Sequence, residues 1–254
     1  MTLLDLESCG GNPPFLWLHG FTQTAQSGYE FQGEVRATRA LVTMDLPGHG
    51  MNASVERNLP ETAADIAQAV GSMPIDLGGY SFGGRVALHV ATNYPTALRR
   101  LVIVSATAGV RDESERAERR ARDEALAQRC QEIGAEAFLR EWTAQPLFAT
   151  LPDDAIEFAT RSRDAAGLAM ALRNMGTGTQ LPLDELLSEC TVPTLLVAGE
   201  YDDKFIHEAY RLHECLSNSR VVIVPQAGHA VHLEQPRYLA RVVCEFLGEK
   251  DQDA

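Results

Sequence analysis

Short runs of consecutive apolar residues alternate along this chain with segments in which apolar residues recur every three or four positions. The runs lie at 14–18, 40–45, 75–80, 101–105, 194–198 and 221–224 and are rich in Val, Ile and Leu. Continuous apolar character suits strands covered on both faces, as in a parallel sheet, because a half-exposed strand would alternate apolar with polar. Helical spacing is found at about 61–71, 82–93, 206–216 and 236–247. The pattern predicts an α/β fold, a mostly parallel sheet flanked by helices. Between Gly109 and about Leu187 no strand-like run occurs. This stretch opens on the charged segment 111–124 and reads as helical throughout. Set between two core strands, it is expected to form an inserted helical cap over the carboxyl ends of the sheet. The expected division is a core of 1–108 and 188–254 and a cap of 109–187.

The junction between the run at 75–80 and the helix at 82–93 carries Gly79-Tyr80-Ser81-Phe82-Gly83. The G-x-S-x-G spacing in a strand–turn–helix setting is that of a nucleophile elbow. A serine there projects from a strained turn, and glycines flank it because a Cβ would strike neighbouring backbone. Backbone N–H groups at the start of the following helix stay free beside the hydroxyl. An acid and a histidine should follow in that order. Glu200-Tyr201-Asp202-Asp203 ends the strand at 194–198, and Gly228-His229 follows the strand at 221–224. Asp202 is the better acid because it is nearer the strand end, with Asp203 beside it. In this reading His229 takes the proton of Ser81, and the acid fixes the tautomer of His229 and stabilises its charged form. A lone Ser81 is equally a helix cap and a lone His229 a surface residue; the three in the right order and setting make a triad. A metal reading of His229, His232 and Glu234 lacks a further ligand nearby, and His232 is expected to be a structural neighbour of the catalytic turn.

The bulk numbers narrow the partners. With 254 residues and 45% hydrophobic content the chain fills one substantial core. A formal net charge of −13 at pH 7 argues against nucleic acid and anionic membrane surfaces. No apolar stretch reaches transmembrane length, and Met1-Thr2-Leu3-Leu4-Asp5 lacks a basic region and a cleavage site. Cys9, Cys130, Cys190, Cys215 and Cys244 are odd in number and unclustered, which fits a reducing, cytoplasmic setting with buried thiols and no disulfide framework. The run 249–254 is expected to fray. Neither a metal nor an organic cofactor is implied, and the chain is expected to act as a monomer or small homo-oligomer.

Arginine alters this picture. Most of the charges at 111–124 are expected to form a solvated face with i,i+4 pairs. Helical spacing nevertheless puts Arg116, Arg119, Arg120 and Asp123 on one face, and a cap helix turns one face toward the pocket. Arg85 lies on the first turn after the elbow, and Arg161, Arg163 and Arg173 lie later in the cap. Guanidinium forks bind carboxylates bidentately, so arginines gathered at one pocket of an acidic protein imply a small poly-carboxylate substrate.

Leu18-His19-Gly20-Phe21, Asp45-Leu46-Pro47-Gly48-His49-Gly50, the elbow, Gly199-Glu200-Tyr201-Asp202 and Ala227-Gly228-His229 together resemble the α/β-hydrolase superfamily. Gly79-Tyr80-Ser81-Phe82-Gly83-Gly84-Arg85, the segment from Arg119 to Asp123, Trp142-x-x-Gln145-Pro146-Leu147-Phe148, Leu172-Arg173-x-Met175-Gly176-Thr177-Gly178-x-Gln180 and Asp202-x-Lys204-Phe205 narrow the resemblance. They are similar to the 2-succinyl-6-hydroxy-2,4-cyclohexadiene-1-carboxylate (SHCHC) synthases of menaquinone and phylloquinone biosynthesis. The resemblance implies a carbon–oxygen lyase that eliminates pyruvate from 2-succinyl-5-enolpyruvyl-6-hydroxy-3-cyclohexene-1-carboxylate, with Ser81, His229 and Asp202 abstracting a ring proton and no acyl-enzyme. It also implies that Arg85, Arg119 and one arginine of 161–163, taken as Arg161, hold carboxylates. Trp142 and Tyr80 would line the pocket, and the N–H groups of Phe21 and Phe82 would face developing negative charge. Thr143 replaces a family tyrosine, and Thr22-Gln23 departs from the common Gly-Ser or Gly-Thr. The alternative is a carboxylic-ester, thioester or C–C bond hydrolase in which Ser81 is acylated.

Overall fold

The apolar runs become strands because each contributes alternate side chains to two apolar layers. The computed structural model describes residues 13–249; the expectations for the start of the chain and for 250–254 fall outside it. In chain order the elements are β1 (Phe15–Leu18), α1 (Tyr29–Arg36), β2 (Leu41–Met44), α2 (Leu59–Val70), β3 (Ile75–Tyr80), α3 (Phe82–Asn93) and β4 (Leu98–Val104). There follow α4 (Glu113–Thr143), α5 (Ala165–Met175), α6 (Asp184–Ser188), β5 (Thr194–Gly199), α7 (Asp203–Cys215), β6 (Ser219–Val224), α8 (Val231–Glu234) and α9 (Pro236–Gly248). The six strands form one sheet in the order β2-β1-β3-β4-β5-β6, every pairing parallel. Leu16, Leu77, Leu101 and Leu196 face one layer with Ile66 of α2 and Val86 of α3. Their strand neighbours Phe15, Trp17, Val102 and Leu195 face the other with Phe31 of α1 and Val243 of α9. This is the two-residue period of a strand buried on both sides.

Three elements depart from expectation for visible reasons. β4 begins at Leu98, not 101, because Arg99 and Arg100 interrupt the apolar run. Arg99 donates to the buried Asp76 carboxylate at 2.5 Å, and Arg39 donates to the same oxygen at 2.7 Å, so these charges are absorbed at the amino end of the sheet. α2 begins at Leu59 because Asn58 and Glu61 form a capping box: Glu61 N–H donates to Asn58 at 2.8 Å and Asn58 N–H donates to Glu61 at 2.9 Å. α1 has no counterpart in the sequence pattern, for it buries only Phe31, Gln32 and Val35.

Between β4 and β5 the chain is helical, with α4 bent at Gly134 (φ 78°, ψ 161°). Ala127, Cys130 and Phe138 of α4 pack on Leu168 and Leu172 of α5 in a small apolar cluster of their own. Among the described residues no helix is long and apolar enough to cross a membrane. Cys130 and Cys190 are buried free thiols as expected, whereas Cys215, at the end of α7, and Cys244, beside a surface groove with Arg241, are free but only partly buried.

Candidate active site

Ser81 leaves β3 with φ 49° and ψ −101°, a conformation an L-residue holds only under constraint. The constraint comes from both sides: Ser81 N–H donates to the Val104 carbonyl of β4 at 2.9 Å, and α3 starts at the next residue. Gly83 makes the turn possible. A Cβ there would run into the Leu18 carbonyl and lie 2.7 Å from the His19 carbonyl oxygen. Asp202 follows β5 and caps α7, and His229 follows β6. His229 Nδ1 lies 2.7 Å from Asp202 Oδ2, and His229 Nε2 lies 3.2 Å from Ser81 Oγ. The carboxylate only accepts, so Nδ1 carries the proton and Nε2 turns its lone pair to the serine hydroxyl. Asp203, the neighbouring acid, is exposed. Asp202 and His229 are both buried.

A carboxylate that the sequence reading does not assign to the site holds the histidine loop. Glu234 accepts from Gly228 N–H at 2.8 Å and from Ala230 N–H at 3.0 Å, the residues on either side of His229. Glu234 is thereby a positioning residue. Glu234→Ala is expected to lower kcat about tenfold with KM within about twofold, since loss of alignment at a reacting group costs rate more than affinity. Steady-state kinetics of the purified variant read this, and an equal rise in KM would show a broader collapse of the pocket.

Four further histidines are buried. His19 Nδ1 donates to the Gly20 carbonyl at 2.8 Å and its Nε2 accepts from Leu46 N–H at 2.9 Å. His49 repeats the arrangement with the Pro47 carbonyl at 3.0 Å and Thr22 N–H at 3.2 Å. His232 Nε2 lies 2.9 Å from Gln23 Nε2, so His232 is bound into the wall of the site. Burial pushes His19 down to about 4. It pushes His49 to about 3 with help from His19, and His232 to about 3 with help from Arg161. His89, on α3, is pressed down to about 4 by burial and then by Arg85. The trio His229, His232 and Glu234 is committed to Ser81 and Asp202, to Gln23, and to backbone N–H groups. Among the described residues no cluster of His, Cys, Asp or Glu is disposed to hold a metal.

Two adjoining cavities open on Ser81 and His229. The larger, about 110 Å³, is lined by Arg85, Arg119, Asp123, Phe82 and Lys204. The smaller, about 30 Å³, is lined by Arg161, Gln23, Tyr80 and Phe148. Phe21, Trp142 and Leu147 border both. Trp142 Nε1 is buried without a hydrogen-bond partner, an indole donor left available. Arg85 is buried, gives Nη1 to the Met175 carbonyl at 2.7 Å, and sits 5.3 Å over the Phe82 ring. Burial, then Arg119, presses its guanidinium down to about 9, so an arriving carboxylate would be strongly welcome there. Arg119 donates Nε to Asp123 at 2.8 Å, and Asp123 also accepts from Gly178 N–H at 2.9 Å. Arg161 donates to the Thr22 hydroxyl at 2.6 Å and to the Ile156 carbonyl at 2.9 Å, and burial lowers its pKa.

The remaining arginines of the sequence reading lie elsewhere. Arg163 is exposed and donates to the Phe158 carbonyl, so of the pair it is Arg161 that faces the cavity. Arg116 turns back to the Val110 carbonyl, Arg120 donates to Gly178, and Arg173 pairs with Glu124. A shared helix face fixes direction but not depth. Only Arg119 and Asp123 of the expected face border the cavity. Thr143 is buried and donates to the Leu139 carbonyl at 2.9 Å within its own helix. Thr22 holds a left-handed φ of 69°, where the commoner Gly of the resemblance would be unstrained, and uses its hydroxyl to accept from Arg161. Gln23, Lys204 and Glu234 belong to the site without being picked out by the sequence reading. Gln23 and Glu234 carry no local sequence signal, whereas Lys204 stands within a motif of the resemblance.

Residues 15–242 match the sequence profile of the α/β-hydrolase family. The chain belongs to the α/β-hydrolase family. Within this family the chain is 33% identical over 96% of its length, and 99% of the relative, to a protein of Escherichia coli O1:K1 named 2-succinyl-6-hydroxy-2,4-cyclohexadiene-1-carboxylate synthase. It is 39% identical, over 91% of its length and 88% of the relative, to a Bacillus subtilis (strain 168) protein that bears the same name as a provisional assignment. Among solved α/β hydrolases it is similar to MenH from S. aureus, with a TM-score of 0.89, 31% identity, and coverage of 97% of this chain and 98% of that one. A thermophilic esterase from Thermogutta terrifontis, solved with malate bound, gives a TM-score of 0.78 at 25% identity, covering 94% and 90%.

Proposed function

We propose that this α/β hydrolase is a carbon–oxygen lyase: it eliminates pyruvate from 2-succinyl-5-enolpyruvyl-6-hydroxy-3-cyclohexene-1-carboxylate to give SHCHC. The observation that carries the reading is the convergence of Arg85, Arg119 and Arg161 on the cavities that open on Ser81 and His229. Relatives that bear the synthase name at 33% identity over nearly their full length support it. In this reading Asp202 holds His229 in the tautomer that accepts the Ser81 proton, and the Ser81 oxygen removes a proton from the ring. The C2–H electrons form a C2=C3 double bond, the existing C3=C4 pair shifts to C4=C5, and the C5–O bond breaks. The enolpyruvyl group departs with the bonding pair and becomes pyruvate on protonation. The N–H groups of Phe21 and Phe82 face the charge that develops on the succinyl carbonyl. Each such donor contributes about 3–4 kcal/mol when tested by removal in other enzymes. Tyr80 and Trp142 shape the walls. Residues 109–187 act as the cap over a core of 1–108 and 188–254, and the enzyme works in the cytoplasm on its small poly-carboxylate as a monomer or small homo-oligomer.

Arg119→Ala is expected to lower kcat/KM for the tricarboxylate about 10- to 100-fold, mostly through KM, the scale of a lost charge-assisted hydrogen bond. Hydrolysis of a short neutral ester, if any is seen, should stay within about threefold. Equal losses on both substrates would remove the carboxylate role.

A second reading, hydrolysis of an ester, thioester or C–C bond with Ser81 acylated, draws on the likeness to the Thermogutta esterase. Pyruvate release from the enolpyruvyl-cyclohexene, run beside p-nitrophenyl ester hydrolysis, separates the two. Rapid pyruvate release with negligible ester turnover supports the lyase. Efficient ester turnover without pyruvate overturns it in favour of the hydrolase.

A further inference from the structure

Lysine is scarce in this chain. Of its 22 Lys and Arg residues only Lys204 and Lys250 are lysines, so Lys204 is the sole lysine among the described residues. It stands two positions after the triad acid, on the first turn of α7. A cation there opposes the positive end of the helix, an arrangement that works against helix stability. Its ammonium has no carboxylate partner among the described residues and lies 5.3 Å from the centre of the Phe205 ring. The residue is exposed, yet its side chain borders the larger cavity together with Ser81, His229, Arg85 and Arg119. An unpaired cation, locally disfavoured and of a residue type otherwise avoided, is thus held at the mouth of the pocket.

We propose that Lys204 is a substrate-binding residue that takes one carboxylate of the tricarboxylate at the cavity mouth; this rests on the lyase reading above. The charges bordering the two cavities fit such a ligand. Arg85, Arg119, Arg161 and Lys204 are four cations, and the Asp123 carboxylate answers one of them, Arg119. The lining therefore carries a net charge of +3, equal and opposite to three carboxylates. The three arginines are tied to fixed partners at Met175, Asp123 and Thr22, so they form a rigid cradle. Lys204 has a flexible stem and a compact ammonium that can follow the ligand inward and release it again. At the entrance of a protein with net charge −13 it also offsets repulsion of an anionic ligand.

The test uses the full-length protein and two readouts. In steady-state pyruvate release, Lys204→Ala and Lys204→Gln should raise KM roughly 3- to 10-fold, the range of a partly exposed ion pair, with kcat within about twofold. Lys204→Arg should restore KM to within about threefold of the parent, and added salt should narrow the gap between parent and alanine variant. The second readout needs no turnover. In a Ser81→Ala background, acetylation by an N-hydroxysuccinimide ester is followed by mass spectrometry, with Lys250 as internal reference. Saturating enolpyruvyl-cyclohexene tricarboxylate should slow acetylation of Lys204 about tenfold relative to Lys250. Unchanged KM in the alanine and glutamine variants, or acetylation of Lys204 indifferent to the tricarboxylate, overturns the proposal. If the parent protein releases no pyruvate, the lyase reading fails instead, and the protection experiment still decides whether Lys204 meets a bound carboxylate.

Discussion

Ser81→Ala is expected to abolish pyruvate release, by at least about a thousandfold in kcat, while the protein stays folded and still binds the tricarboxylate. The size follows from the role: Ser81 Oγ is the atom within reach of both His229 Nε2 and the cavity, and loss of the reacting group in a triad leaves only binding and donor contributions. Affinity should change by less than about threefold, because the proposed charged grips are Arg85, Arg119 and Arg161 and not the serine. Stability separates chemistry from folding. Alanine keeps a Cβ at φ 49° and inherits the strain. Ser81→Gly removes a cost of order 1–2 kcal/mol and should melt higher than Ser81→Ala. Pyruvate release by either variant within about tenfold of the parent would remove Ser81 from the reaction, and loss of binding together with turnover would point to a damaged pocket.

The second large effect is on stability in mild acid. His19, His49, His89 and His232 are held near 4, 3, 4 and 3, against an ordinary value of 6.5. The unfolded chain therefore takes up protons below pH 6.5 that the folded chain refuses until it approaches 4 or below. The stabilisation from neutral burial is intact above 6.5 and drains away as pH falls, at up to about 1.4 kcal/mol per pH unit for each histidine. At pH 5 that is on the order of 2 kcal/mol for one such histidine, and several together are a large share of the stability of an ordinary domain. Acid unfolding followed by circular dichroism should therefore centre near pH 5, above the range of ordinary carboxylates. His49→Gln should flatten the pH dependence by about one proton. A protein stable down to pH 3.5 would show that these imidazoles gain protons without unfolding.

The features legible in the amino-acid sequence are chiefly those that obey a local rule. The elbow glycines and most strand runs depend on neighbours a few positions away, and the acid and histidine are each recognised by the strand end just before them. β4 escapes in part because Arg99 joins Arg39 on Asp76 of β3 and Arg100 donates to the Phe246 and Glu249 carbonyls, partners distant in the sequence. α1 escapes because eight residues with three buried positions give too little periodicity to stand out. The face of α4 is legible as a direction. Arg116 folds back on the Val110 carbonyl, and that Arg120 ends on Gly178 while Arg119 reaches the cavity depends on how closely the 176–178 turn approaches. Gly178 permits that approach, since a Cβ there would overlap the backbone of Arg120. Glu234 is invisible for another reason: its work is done on backbone N–H groups, which carry no sequence signature.

The order in which the site is strung along the chain has a consequence for its birth on the ribosome. Ser81 and His229 are 148 positions apart. At translation rates of roughly 5–20 residues per second the hydroxyl is made about 7–30 s before its base. Helices α4 to α6 are synthesised within that interval. β1 to β4 are available first as a pairing surface, and β5 and β6 then add at the β4 edge in order. The growing polypeptide thus carries its serine without His229 until all of the segment between them has been made. Any product of termination between the elbow and His229 is a chain with Ser81 and without the imidazole that lies 3.2 Å from its hydroxyl in the folded protein.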